Sequence, residues 1–307
     1  MNTPVLFLVF NRIELTQQVF ESIRKSRPPR LYIASDGARL SKIGEIDKVA
    51  YIRDYLQNNI DWNCEVKTLF RESNLGCKVA VSEAINWFFE NEQEGIIVED
   101  DCLPSQSFFD FCEDMLEKYR DDLRVWHISG NNFQKQKQHN DNEYYFSKIP
   151  HIWGWATWSN RWDSYDVEMK AFNSLPGKIA VDDFFVDKKQ VNYWLELLES
   201  SCVNKVDAWD FQWAYACFIN NGLSINPNRN MVTNIGFGQE ATHTKFENTR
   251  VSNLKSFDIQ FPVDKVNITT PSILADTYSM KRLFYKRNII IRVINKISRI
   301  ILNKEVI

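Results

Sequence analysis

The chain has 307 residues, 44% of them hydrophobic and 25% charged, and a formal net charge of −3. That length suits one large core or one domain with appendages, and the weak negative charge gives no sign of general nucleic-acid binding. No run of about 18 apolar residues reads as a membrane-spanning helix. The six cysteines show neither a CxxC pair nor zinc spacing, and no signal peptide is evident, so they read as reduced thiols of a cytoplasmic protein.

Residues 5–10 form an apolar run bounded by Pro4 and Asn11, which predicts a buried strand. Residues 14–25 place Leu15, Val19 and Ile23 at helical spacing, and 31–34 are a second strand. Strand, helix, strand implies a parallel, right-handed crossover. Both strands end in polar residues, Asn11-Arg12 and Ser35-Asp36-Gly37, which then lie side by side along one sheet edge. Asp36-Gly37 suits a turn, or beside Arg12 a contact to a ribose or base edge. A helix over 46–57, a strand over 65–70, a helix over 79–89 and a strand over 96–99 continue the alternation. There is no GxGxxG and no GxxxxGK[ST]. The expected fold is α/β, a mostly parallel central sheet with helices on both faces. Residues 1–104 would be a nucleotide-binding half and 105–250 an acceptor half.

The fourth strand runs into Glu99-Asp100-Asp101, with Pro104 just beyond. Unpaired carboxylates are very costly to bury, so the acids belong at the strand's C-terminal edge, where open α/β sheets bind ligands. Adjacent carboxylates repel unless a cation lies between them. A hard divalent ion, Mn²⁺ or Mg²⁺, answers that need, with diphosphate oxygens and water completing its shell. The alternative is a solvated acidic turn.

Beyond the acids, 108–119 predict a helix and 125–128 a strand, and 134–143 a polar loop. Trp153, Trp155, Trp158 and Trp162 crowd into ten positions, either as core beneath the sheet or as a wall of an acceptor pocket. A helix over 192–199 follows. Asp207 and Asp210 precede a helix over 211–219, where either could cap it or act as a general base. Residues 234–243 form a Gly-containing loop ending in His243, suited to folding over a ligand. Residues 251–279 read as a linker or extension. From 280 to 307 the chain carries eight Lys/Arg and one acid, with Ile290, Ile294, Ile297 and Ile301 on one helical stripe. Such a basic amphipathic helix can lie on an anionic membrane surface, here the inner face of the cell membrane, or dock on the body.

Taken in order, "FNR", "SDG", "VEDDCLP", "ISGNN", "WGWATW" and "NIGFGQEATHT" resemble the GT-A glycosyltransferases. The likeness is to bacterial proteins related to the Golgi N-acetylglucosaminyltransferase that begins complex N-glycans. The resemblance implies that Asp101 binds the metal and Asp100 contacts the nucleotide. Arg12 and Asp36, with Gly37 beside it, would meet the base or ribose. Asp210, with Asp207 as the alternative, would be the base of an inverting transfer. His243 would join the metal or close over the diphosphate. The implied reaction moves a sugar from a nucleotide-sugar, UDP-linked by preference, to a hydroxyl of a glycan or lipid-linked acceptor in polysaccharide synthesis. A nucleotidyltransferase acting on a sugar phosphate and a noncatalytic nucleotide- or sugar-binding protein are the alternatives.

Overall fold

The computed structural model describes residues 1–134, 142–203, 205–237 and 254–284. Four strands, β1 (Val5–Val9), β2 (Arg30–Ser35), β3 (Glu65–Phe70) and β4 (Glu94–Glu99), are linked by α1 (Ile13–Ser26), α2 (Glu45–Asn58) and α3 (Gly76–Phe89). Next come β5 (Cys102–Pro104), α4 (Gln106–Tyr119), β6 (Val125–Ser129), β7 (Tyr144–Ser147), β8 (Trp155–Trp158) and α5 (Ser159–Trp162). The helices α6 (Leu175–Phe184), α7 (Lys188–Cys202) and α8 (Asp210–Ile219), the strands β9 (Leu223–Pro227) and β10 (Val232–Asn234), and α9 (Ile273–Ser279) complete the chain.

The eight-stranded sheet has the order β3-β2-β1-β4-β8-β6-β9-β7, with β5 and β10 paired separately. Strands β3, β2, β1 and β4 are mutually parallel. β8 runs antiparallel to both β4 and β6, and β7 antiparallel to β9. The sheet is thus mixed but mostly parallel, as the alternating first hundred residues imply. β1 is buried along its whole length. Val5, Phe7 and Val9 face one core with α1, α2 and α4, whereas Leu6 and Leu8 face a second core with α3 and α5 to α8. Two covered faces explain a strand apolar at every position rather than at alternate ones.

The Trp-rich segment is the main departure from the expected layout. Trp155 to Trp158 is a sheet strand, β8, wedged between β4 and β6. Trp155, Trp158 and Trp162 are buried, so the core reading holds for these three. Helix α7 also extends past the expected 192–199, because Asp187 accepts a hydrogen bond from Lys189 N–H (2.9 Å) and caps it earlier.

Residues 254–284 pack on the body. Asp258 Oδ1 accepts from the backbone N–H and hydroxyl of Ser107 (2.9 Å each), capping α4 from across the chain. Asp276 of α9 is buried, accepting from Ser147 Oγ (2.5 Å) and Lys148 N–H (3.1 Å). His243 and residues 285–307, most of the basic tail, lie outside the described residues. Among the described residues no helix is long and apolar enough to cross a membrane.

Burial pushes the Asp276 carboxyl from its ordinary 3.8 up to about 6. With the folded value above the unfolded one, the folded chain binds the extra proton between the two values. Stability therefore rises as pH falls through that window and levels off below it. Asp276→Asn should weaken the rise in stability that urea unfolding shows across the window, leaving the share of the other raised carboxyls; an unchanged slope in the variant would remove Asp276 as a contributor.

Candidate active site

The C-terminal ends of β1 to β4 open on one cleft of about 610 Å³, lined by Arg12, Asp36, Glu99, Asp100, Asp101, Asp207 and Asp210 among others. Its size suits a small organic ligand. Six of the eight residues singled out from sequence therefore converge although they span almost 200 positions. Gly37 does not line the cleft. It is buried, and a Cβ there would strike the Ser73 backbone, so its role is the close approach of two chain segments.

Arg12 lines the cleft with its guanidinium engaged by the acids at the tip of β4. Its Nη2 lies 2.6 Å from Asp100 Oδ1 and its Nη1 2.9 Å from Asp101 Oδ2. The cation that adjacent carboxylates require is thus the chain's own guanidinium. Adjacency of β1 and β4 makes this possible: Leu8 is in register with Glu99, so the residues just beyond each strand meet. Phe10 N–H adds a bond to Asp100 Oδ2 (3.2 Å). Burial opposes the charge on Arg12, but Asp100 and Asp101 outweigh it and hold the guanidinium protonated. Burial also pushes the Glu99 and Asp100 carboxyls above the ordinary carboxylate range, with Asp101 adding to the effect and Arg12 opposing it. The Glu99 side chain lines the cleft without a hydrogen bond among the described residues.

Asp36 and Asp207 serve a second purpose. Asp36 accepts from Gly37 N–H (2.9 Å), Asn74 Nδ2 (2.9 Å), Leu75 N–H (3.0 Å) and Gly76 N–H (3.2 Å). Asp207 accepts from Cys77 N–H (3.2 Å) and Lys78 N–H (2.9 Å). Together they satisfy the first amides of α3, whose N-cap residue, Leu75, makes no capping bond with its own side chain. These remote caps let α3 begin at Gly76 rather than near residue 79. Gly76 itself has φ +80, and a Cβ there would lie 3.1 Å from Asp207 Oδ2. Asp207 therefore caps α3, not the helix that follows it. Asp210 is the first residue of α8 and faces the cleft, close enough to raise both Glu99 and Cys77. The Cys77 thiol is pushed up chiefly by burial, and remains a thiol rather than a nucleophilic thiolate.

Among the described residues no three His, Cys, Asp or Glu side chains converge to hold an ion alone. The Asp101 side chain is 16% exposed, and among the described residues its Oδ1 meets only the Cys102 thiol at 3.3 Å. This donor set fits an ion that takes one protein carboxylate and draws its other ligands from diphosphate and water. Over the acids, the β10–β5 pairing carries residues 235–237, with Ile235 N–H bonded to the Asp101 carbonyl at 2.8 Å. Gly236 lies so close that a Cβ would meet Asp101 Oδ2 and stand 2.8 Å from Arg12 Nη1. Arg39, Arg71, Trp153 and Phe237 also line the cleft. Sequence reasoning passed over Arg39 and Arg71, although Arg71 directly follows β3 as Asp36 follows β2. Of the four clustered Trp, only Trp153 reaches the cleft, its ring meeting Phe133 (5.0 Å) and Phe237 (5.8 Å) edge-on.

No family model matches the chain, and no curated protein matches it. Structural comparison aligns it with residues 1–349 of TarS from S. aureus at 11% identity and TM-score 0.37, over 54% of this chain and 50% of that one. A UTP-bound UGPase from Acinetobacter baumannii aligns at 7% identity and TM-score 0.36, over 76% and 89% respectively. The glycosyltransferase GlyE of Streptococcus pneumoniae TIGR4 aligns at 11% and 0.35, over 73% and 45%. The chain thus spans half or less of the TarS fragment and of GlyE. Likenesses of this size assign no activity.

If Asp207 is a cap, Asp207→Ala should lower unfolding stability by about 1 kcal/mol, while Asp207→Asn, which caps nearly as well, should stay within a few tenths of the native value. Urea titration of the two variants reads this directly. Equal loss in both would show that the carboxylate charge, not the cap, matters.

Proposed function

We propose that the chain is a glycosyltransferase that moves a sugar from a nucleotide-sugar, with UDP as the favoured carrier, to an acceptor hydroxyl with inversion. One observation carries the reading. An acid pair bridged by arginine stands at the tip of parallel strands, and a separate acid, Asp210, faces the same cleft from the start of α8.

In this reading Asp210 accepts the proton of the acceptor hydroxyl. The freed oxygen attacks the anomeric carbon from the face opposite the diphosphate, and the carbon–oxygen bond to the leaving nucleotide breaks with its electron pair. Arg12 is positioned to neutralise negative charge at the acidic tip; Arg39 and Arg71 also line the cleft, paired with Glu45 and Glu83. Asp101 would hold Mn²⁺ or Mg²⁺, which when bound supplies charge neutralisation on the leaving diphosphate. Trp153, which lines the cleft and packs against Phe133 and Phe237, would supply apolar ring surface to an acceptor sugar. A glycan or lipid-linked acceptor fits that wall. The basic tail would keep the enzyme peripheral on the inner face of the membrane.

The test is a screen of nucleotide-sugars for metal-dependent transfer or hydrolysis. Asp101→Asn should abolish turnover without unfolding the chain. Asp210→Asn should lower kcat by roughly a hundredfold or more with donor binding retained. Full activity in Asp101→Asn with metal present defeats the assignment. Pyrophosphate release from UTP and a sugar phosphate would redirect it to nucleotidyl transfer. Absence of any thermal shift with UDP, UTP and Mn²⁺ would favour a noncatalytic binding protein.

A further inference from the structure

We propose that Arg12 prevents the acidic tip from retaining a divalent ion by itself, so that ion and nucleotide diphosphate are held only together. This rests on the glycosyltransferase reading and adds an order of assembly to it.

Both carboxylates after β4 are engaged by one guanidinium, at 2.6 Å to Asp100 and 2.9 Å to Asp101. Such charge-assisted contacts are among the stronger hydrogen bonds a protein makes. The two partners are not equivalent. The Asp100 side chain is only 3% exposed, so losing Arg12 would leave a buried carboxylate without its cation. Asp101 is 16% exposed and can be solvated. Arg12 is also fixed at its root: its carbonyl accepts from Thr16 N–H (2.9 Å) and Thr16 Oγ1 (2.7 Å) at the start of α1. The available change is therefore for Nη1 to leave Asp101 while Nη2 stays on Asp100.

What remains of Asp101 is a poor resting place for an ion. Oδ2 is covered by Arg12 and by the close approach of Gly236. That leaves Oδ1, with no second or third ligand side chain converging on it among the described residues. Hard divalent ions dehydrate reluctantly, and one carboxylate oxygen beside a guanidinium replaces little of the water shell. A diphosphate changes both conditions. It provides oxygen ligands and negative charge, and it competes with Asp101 for Arg12.

The experiment titrates Mn²⁺ into the full-length chain, following the free aqueous ion by electron paramagnetic resonance, with and without UDP. Native protein should take up Mn²⁺ only with UDP. Arg12→Gln should hold Mn²⁺ without UDP, roughly tenfold or more tightly than native protein does, as expected for removal of a charge-assisted competitor. Arg12→Lys keeps a cation near Asp100 but cannot bridge both acids. It should also gain UDP-independent binding, and it provides a folded test if the Gln variant does not fold. Adding Asp101→Asn to the Lys variant should remove the gain. The inference is overturned if native protein binds Mn²⁺ alone as tightly as either variant does, and the functional reading survives that result so long as UDP and Mn²⁺ bind together. Failure of native protein to take up Mn²⁺ even with UDP sinks the functional reading and this inference with it.

Discussion

The Arg12 bridge between Asp100 and Asp101 is the constraint on which the rest of the site depends. Three consecutive acids close a buried strand, and the fold tolerates them because the neighbouring parallel strand delivers a guanidinium to the same point. Removing one partner of a buried ion pair typically costs about 3–5 kcal/mol, because the other charge is then stranded. The adjacency of β1 and β4, the entry into α1 and the passage of residues 235–237 over the acids are thus tied to one electrostatic requirement.

A second set of carboxylates is tied to amides. Asp36 and Asp207, 171 positions apart by their numbering, join at the start of α3, where unpaired N–H groups and the helix dipole favour negative charge. The acids named in the cleft therefore divide by partner. Asp100 and Asp101 meet arginine, and Asp36 and Asp207 meet backbone. Glu99 and Asp210 also line the cleft. The cap on α3 gives Asp207 a structural task that its position before α8 did not reveal.

The alternation of strands and helices over the first hundred residues was legible because apolar period and breakers agree there. The acids at the tip of β4 were legible for a different reason: burial forbids them anywhere else. What the sequence withheld was pairing. Nothing local marks Arg12 as the partner of residues almost ninety positions away, and a metal ion was the simpler answer to the same charge problem. Asp207 looked like a cap for the helix after it, whereas it caps one 130 residues earlier. The strand β9 and the shorter strands β5, β7, β8 and β10 also escaped notice. Three or four residues carry too little pattern, and β8 is half Trp, a composition equally suited to core or pocket.

The buried indoles have an optical consequence. Trp155 stacks on Trp209 at 5.5 Å and lies 5.7 Å from Trp213 and 6.0 Å from Trp162. Rings this close pass excitation to one another, so the emission of each depends on where the others lie. Trp209 borders the cleft and immediately precedes Asp210. Any shift of that turn disturbs this transfer, giving the protein a native fluorescence signal for movement of its proposed base, with no dye attached.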